Sequence, residues 1–229
     1  GSEMCIRDSG KIDFTDYLSF KTNLAYERYM FDSYTYAHNE LGYAAAAGGR
    51  ISQSRDLTTT INLINSLNFN KTFGKHTVQA DLIHEAYKSD YDVLSAEGEG
   101  FLPNVKALVG RTTPTGASGF ISEERLVGYL ARASYNYDEK YFIEGSFRRD
   151  GSTKFSTDTR WGNFFSVGAG WVITDEDFLQ DNGVLNYLKL KGSYGELGNN
   201  RGLGFFPYIQ AFETGWNQGS NTGVLLTGV

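Results

Sequence analysis

The sequence predicts an all-β protein, an antiparallel meander of about seven strands that forms part of a large transmembrane outer-membrane β-barrel, open and incomplete as it stands. Three observations carry that prediction. Apolar and polar side chains alternate over segments of roughly 10 to 13 residues, about twice the usual soluble strand. Short and long links alternate along the chain. Aromatic residues gather where the segments meet the links. Composition agrees, because 15 Tyr, 16 Phe and 27 Gly with only 3 Pro suit pleated strands and tight turns.

Successive residues of a strand face opposite ways, so alternation assigns faces directly. In the first segment Leu18, Phe20, Leu24 and Tyr26 oppose Ser19, Lys21, Asn23 and Glu27. The second sets Ile61, Leu63, Leu67 and Phe69 against Thr60, Asn62, Ser66 and Asn68. The third sets Val78, Ala80, Leu82 and Ala86 against Thr77, Gln79, Asp81 and Glu85. The fourth has Val127, Tyr129, Ala131, Ala133 and Tyr135 on one side, with Arg132 and Ser134 on the other. Tyr141, Ile143 and Phe147 then oppose Glu144, Ser146, Arg148 and Asp150. Phe165, Val167, Ala169 and Trp171 oppose Ser166, Gly168 and Gly170, and finally Leu188, Leu190 and Tyr194 oppose Lys189, Lys191 and Ser193. Six residues break the pattern. Asn65 and His84 sit on apolar faces, while Ile64, Ile83, Leu130 and Phe164 sit on polar ones.

Tight turns are expected at Phe73–His76 and Asp138–Lys140, and one helical turn between Ile173 and Leu188, with Thr174 capping amides near Asp177 and Gly183 ending it. Long links are expected over Met30–Asp56 and Ser89–Glu123, and a shorter one over Gly151–Arg160. All short links then fall at one end of the sheet, as in outer-membrane barrels. Phe69, Phe73, Tyr135, Tyr137, Tyr141, Phe142, Trp171 and Tyr187 lie at that end; Tyr87, Tyr91, Phe147 and Trp161 lie at the other. Two girdles at headgroup level are the expectation.

Several function classes are set aside. A net charge of −6 argues against a nucleic-acid partner. Mean hydropathy is −0.38, and no apolar run reaches the roughly 18 residues of a spanning helix, although a spanning strand needs only about 10. Residues 1–9, GSEMCIRDS, match nothing that follows and read as a non-native scar, leaving 10–229 as partial barrel domain. The single cysteine, Cys5, lies in that scar, so neither a disulfide framework nor a thiolate metal site is expected. Glu123 and Glu124 are strand neighbours and point apart, and His38, His76 and His84 lack ligand spacing. No enzyme, cofactor or metal site is predicted. Two alternatives remain open: a soluble β-sandwich that binds carbohydrate, and a passive porin-type barrel.

The stretch YFIEGSFRRDGSTKFSTDTRWGNFFSVGAGWVITDEDFL, followed by LNYLKLKGSYGELGNN, goes beyond pattern. It resembles the barrel region of the SusC/RagA-like TonB-dependent receptors of Bacteroidetes. Arg148 to Ser152, Phe155, Arg160 to Gly162, Ser166, Gly170, Trp171, Phe178, Leu179, Leu188 to Leu190, Ser193 to Gly195, Gly198 and Asn199 carry the likeness. The hairpin around FGKH resembles the same family, so the resemblance runs from about Phe14 to Asn200. It implies a plugged barrel driven by the TonB complex, capped by a SusD-like surface lipoprotein, and importing an oligosaccharide or, in some relatives, a peptide. The chain is then expected to be an internal piece of barrel wall in the outer membrane, unstable alone in water because a sheet open at both edges leaves backbone unpaired.

Candidate substrate-binding residues follow from the faces. Arg132, Glu144, Arg148 and Asp150 would line the lumen, with Lys21, Glu27, Asp81, Glu85, Lys189 and Lys191 on the same face. Pairing of opposite charges across strands explains such a wall equally well. The link aromatics Tyr91, Phe101, Phe120, Phe205, Phe206, Tyr208 and Trp216 could stack on sugar rings, or simply pack among themselves.

Overall fold

A computed structural model describes residues 1–102, 105–179 and 185–199. Strands β1 (Ser2–Thr15), β2 (Leu18–Ala37), β3 (Arg50–Phe73), β4 (His76–Phe101), β5 (Arg111–Tyr137), β6 (Tyr141–Ser152), β7 (Trp161–Val172) and β8 (Lys189–Gly195) form one antiparallel sheet in chain order. The two packed sheets of a sandwich are absent among the described residues. The seven expected segments are β2 to β8. The eighth strand, β1, takes in the residues set aside as a scar, pairing Ser2 with Met30 through to Ser9 with Asn23. Ladder hydrogen bonds use backbone groups alone, so they run through a segment whose side chains show no pattern.

Strand length is the main departure from expectation. β2 to β5 hold 20, 24, 26 and 27 residues. Most of the two expected long links is therefore strand, paired from Phe31 with Asp56 to Ala37 with Arg50, and from Ser89 with Glu124 to Phe101 with Arg111. Alternation marked only the part of each strand that has an apolar face. Beyond it, Ser, Thr and Gly continue the ladder without a period-2 signal. The third link stays short, closed where the Ser152 N–H donates to the Arg160 carbonyl at 3.2 Å.

Directly paired residues share a face, so the register tests the assignment. One row reads Phe20, Leu67, Leu82, Ala131, Phe147, Phe165 across β2 to β7. The row beside it on the opposite face reads Asn68, Asp81, Arg132, Ser146, Ser166, Gly195 across β3 to β8. Val127, Tyr129, Phe165, Val167 and Leu190 all fall on the apolar face, where Leu82, Ile143 and Leu190 are each more than half exposed. Among the described residues only Ala37, Ala44, Ile51, Phe101 and Val172 are buried hydrophobics. Among the described residues nothing packs on this face, which is a large exposed apolar surface.

The face is bounded at both ends. At the tight-turn end Phe73, His76, Tyr137, Tyr141 and Trp171 form one register row. Ring centroids lie 4.9 Å apart for His76 and Tyr137 and 6.3 Å apart for the stacked Tyr137 and Tyr141. Toward the other end Lys88 pairs with Asp90 (2.7 Å) and Glu123 (3.3 Å), and Arg125 with Glu123 (2.7 Å). From His76 to Lys88, β4 advances about 40 Å along the strand, or about 30 Å of bilayer at the roughly 40° tilt of barrel strands. Phe142, Tyr87 and Tyr91, expected in the girdles, fall instead on the polar face.

The turns brace one another. Asp138 and Glu139 both adopt positive φ, 54° and 55°, in a turn without glycine. It is held by the Asp138 N–H to the Lys75 carbonyl (2.7 Å) and by the Lys75–Asp138 ion pair (2.6 Å). Among the described residues of the β7–β8 connection the helical turn is one 3-10 turn, Ile173–Asp175. Thr174 does not cap it; its Oγ1 accepts the N–H of Leu188 (3.2 Å) and so ties the two ends of the connection. Gly183 lies outside the described residues. Glu176 anchors the girdle, accepting from the Tyr141 hydroxyl and from Trp171 Nε1 (2.9 Å) and facing Lys140 (3.4 Å). These hydrogen bonds, from Tyr141 first and then Trp171, hold its carboxyl below the ordinary value of 4.5.

Candidate functional site: the polar face

The polar face carries two kinds of surface. Low on the sheet it is a set of matched charges. Arg132 meets Glu144 at 3.2 Å. Arg148 Nε donates to both oxygens of Asp150 (2.8 and 2.7 Å), two residues along the same strand, and its terminal nitrogen reaches Glu85 on β4 at 3.2 Å. That reach crosses β5 at Gly128, which lies in one row with Glu85, Asp150 and Gly162. A Cβ at Gly128 would stand 2.7 Å from Asp150 Oδ1 and 2.9 Å from the Arg148 guanidinium. The first arginine of RRDG is thus pinned between Asp150 of its own strand and Glu85 of β4, with Gly128 of β5 where it must pass. All four lumen candidates are brought onto one face, each within an ion pair. Lys189 instead lies over the Phe142 ring, 3.6 Å from its centroid.

Higher up, the extensions of β2 to β5 make a surface that was not visible in the sequence. Three successive rows read Tyr29, Thr58, Tyr91, Ser122; then Phe31, Asp56, Val93, Phe120; then Ser33, Ser54, Ser95, Ser118. Tyr91 and Phe120 meet edge to face at 5.7 Å, and the hydroxyls of Ser95 and Ser118 at 2.7 Å. Aromatic rings beside a row of hydroxyls offer stacking and hydrogen bonding together. Only the register brings together residues that are up to 93 positions apart (29 to 122); alternation within one strand carried only a faint signal. Above the rows, Arg50 bonds Glu99, which raises the arginine's pKa. Phe101, at the end of β4, is buried and pairs with Arg111, so it packs and does not present a ring. Phe205, Phe206, Tyr208 and Trp216 lie outside the described residues.

Two cavities open on this face. One of about 660 Å³ has Gly168 and Gly170 as floor, between Arg132 and Glu144 on one side and Lys189 and Lys191 on the other. The second, about 530 Å³, lies above the Arg148 cluster at the β6–β7 link.

No family model matches the chain. Individual proteins do. The chain is 36% identical over 167 residues to TonB-dependent receptor P39 of Formosa agariphila, covering 69% of this chain and 16% of that receptor. It is 36% identical over 95 residues to TonB-dependent receptor SusC of Bacteroides thetaiotaomicron, 42% of this chain and 10% of SusC. The chain belongs to the SusC/RagA-like TonB-dependent receptors. TonB-dependent receptor P3 of Formosa agariphila matches over a longer stretch, 28% identical over 206 residues, 88% of this chain and 20% of that one. The chain thus spans between about a tenth and a fifth of these curated relatives. Its fold is that of a solved chain in the RagAB peptide transporter, with TM-score 0.86 over 98% of this chain and 25% of that one, at 20% identity. The RagAB peptide importer in its closed-closed state gives 0.87 over 99% of this chain and 25% of that one, at 21% identity. Receptors of this kind are outer-membrane β-barrel proteins, and the eight strands match a stretch of such a barrel.

Proposed function

We propose that this chain is barrel wall of an outer-membrane importer that takes up oligosaccharides, working with a SusD-like surface lipoprotein and the TonB complex. Residues 10–229 are read as part of one barrel domain spanning the outer membrane, and 1–9 as non-native. The observation that carries this reading is the two-faced single sheet: an apolar, aromatic-bounded face on one side, and a face of paired charges and hydroxyls on the other. The first suits lipid and the second a water-filled lumen. The oligosaccharide reading is supported by the rows of Tyr, Phe and Ser on the outer part of the polar face, since sugar rings present both a C–H face and hydroxyl edges. The matched charges of Arg132, Glu144, Arg148 and Asp150 keep the lumen wall hydrated and in shape.

The test is uptake of fluorescent oligosaccharides and peptides by cells carrying or lacking the complete receptor gene. Saccharide uptake that needs the gene, TonB and the neighbouring lipoprotein supports the proposal. Uptake that survives loss of TonB would favour the passive porin, and gene-dependent uptake of peptides alone would replace the substrate.

A further inference from the structure

One register row interrupts the apolar face. Thr22, Asn65, His84, Tyr129, Arg149 and Asn163 lie in it across β2 to β7. The row below holds Leu67, Leu82 and Phe147, and the row above Leu63, Val127 and Trp161. Against lipid a polar side chain needs a partner in the protein or in the lipid itself. Thr22, Asn65 and His84 supply one another, in a chain of 2.8 and 3.4 Å contacts. Arg149 and Asn163, both exposed, have no side-chain hydrogen bond or ion pair among the described residues.

Charge sets Arg149 apart as well. On the same face Lys88 and Arg125 share Asp90 and Glu123, and Arg55 bonds Asp32. Arg149 instead lies over the Trp161 ring, 5.1 Å from its centroid, and Trp161 stacks on Tyr129 at 6.4 Å. A guanidinium stacked by its flat face keeps its N–H edge for an anion. The strand end that carries it is fixed by the link above. Ser152 Oγ accepts the N–H of Lys154 (3.2 Å), Thr153 exchanges hydrogen bonds with the Arg125 backbone (3.0 and 2.9 Å), and Lys154 meets Glu124 at 3.1 Å.

Depth fits the same partner. From Tyr141 in the lower girdle to Arg149, β6 climbs about 26 Å, or about 20 Å of bilayer at the usual tilt. Its long side chain can then snorkel to the upper edge of an apolar band about 25 Å tall. That edge is the headgroup level of the outer leaflet, where Trp and Tyr are also at home. A phosphate accepts two parallel hydrogen bonds from the guanidinium fork, and an Asn amide beside it adds a donor.

We propose that Arg149, seated on Trp161 between Tyr129 and Asn163, binds the phosphate of an outer-leaflet glycolipid on the outer face of the sheet. The inference rests on the barrel-wall reading and gives that wall a specific lipid. The two arginines of RRDG then serve opposite faces: Arg148 braces the lumen wall and Arg149 holds the membrane. Such a contact is independent of what is imported.

The experiment uses the complete receptor, purified from outer membranes in mild detergent and titrated with lipid A or with the same lipid A after enzymatic dephosphorylation. Native mass spectrometry reads the fraction of receptor that retains each lipid. The wild type is expected to favour the phosphorylated lipid by at least roughly tenfold, the order of one charge-assisted bidentate contact. R149Q removes that preference. R149K, which keeps the charge but not the fork, retains a reduced preference and serves as the test should R149Q fail to assemble, with heat-modifiable migration on gels reporting assembly. R125Q, which removes a cation already matched by Glu123, leaves the preference within about twofold. Equal retention of the two lipids by the wild type overturns the site while leaving the barrel wall standing. A preference that survives R149Q, or one that R125Q abolishes equally, does the same. Recovery of the receptor in the soluble fraction instead of the outer membrane overturns the barrel-wall reading itself.

Discussion

The sheet has two unlike wings. In β2 to β5 the strands run 20 to 27 residues and rise well past the charged boundary at Lys88. In β6 and β7 they run 12 residues each and stop near it. The ladder chemistry is the same in both, so the difference lies in what stabilises strand beyond the bilayer. The long wing ends in a core of its own, where Ala37, Ala44, Ile51 and Phe101 are buried. The short wing ends in a link fastened by Ser152, Thr153 and Lys154. A long wing with a small core can present an extended surface; a short wing with a fastened link can present a pocket. Between the tight turns and the charged boundary, the apolar face of both wings has no packed core among the described residues.

The largest effect that would test this contrast is Ile51→Ala. Removing a fully buried side chain costs about 2 to 5 kcal/mol, and that loss is expected to be local. Limited proteolysis of the complete receptor should cut the long wing's tip while the barrel keeps its heat-modifiable mobility; cleavage within β6–β7 instead would show that the wings are not independent. Next comes a pair within one strand. Leu82→Lys, midway up the apolar face, is expected to cost about 2 to 4 kcal/mol, while Leu94→Lys, on the same face above the boundary and 64% exposed, costs less than about 0.5 kcal/mol. Equal denaturant midpoints for the two variants would place the lipid boundary wrongly.

A smaller effect is expected at Gly128→Ala. The added methyl collides with Asp150 and the Arg148 guanidinium, at about 1 to 3 kcal/mol. Reverting it by Glu85→Gln, which frees Arg148 to move, should recover part of the loss in denaturant unfolding. The smallest concerns Glu176, whose depressed pKa arises from the Tyr141 and Trp171 hydrogen bonds. A carboxyl with a folded pKa below its unfolded one stabilises above the unfolded value, and the effect disappears as pH falls through the folded one. The wild type should therefore exceed Glu176→Gln in thermal midpoint at neutral pH, with the gap closing below the ordinary carboxylate value of 4.5. A gap that persists at lower pH would assign the role to packing.

What was legible in the sequence follows the same division. Where one face meets lipid and the other water, alternation located β2 to β8. Where both faces meet water, as in Thr58, Ser95 and Ser118, the period vanishes and strand read as link. The six misfits show why faces alone were insufficient. Asn65 and His84 are register partners on the apolar face. Thr22 Oγ1 donates to Asn65 Oδ1 at 2.8 Å, and Asn65 Nδ2 meets His84 Nδ1 at 3.4 Å. Ile83 and Leu130 are likewise direct partners on the polar face, with Phe164 in their row beyond Arg148. Four of the misfits thus fall into two pairs that only the register brings together, while Ile64 stays between Asn23 and Glu85 and Phe164 beside Arg148. The lumen candidates were legible as a face, but the pinning of Arg148 by Glu85 was not, since it depends on a missing side chain at Gly128. Glu123 and Glu124 do part as neighbours on a strand should, one toward Arg125 and Lys88, the other toward Lys154.

One offset in the ladder reaches further than any side chain. β3 runs four residues past Phe69, the partner of Leu18, before it ends at Phe73. From β3 to β8, by contrast, the strand ends at the tight-turn side stay in nearly one row. A hydrogen-bonded row across tilted strands is not level; it climbs about 3 Å per strand at the usual spacing and tilt. Stagger of this kind, summed around a closed wall, fixes together with strand number how wide the bore becomes. The offset belongs to the register of β2 on β3, so shortening β3 at its end would leave this contribution to the stagger unchanged, whereas a slip of the pairing would not.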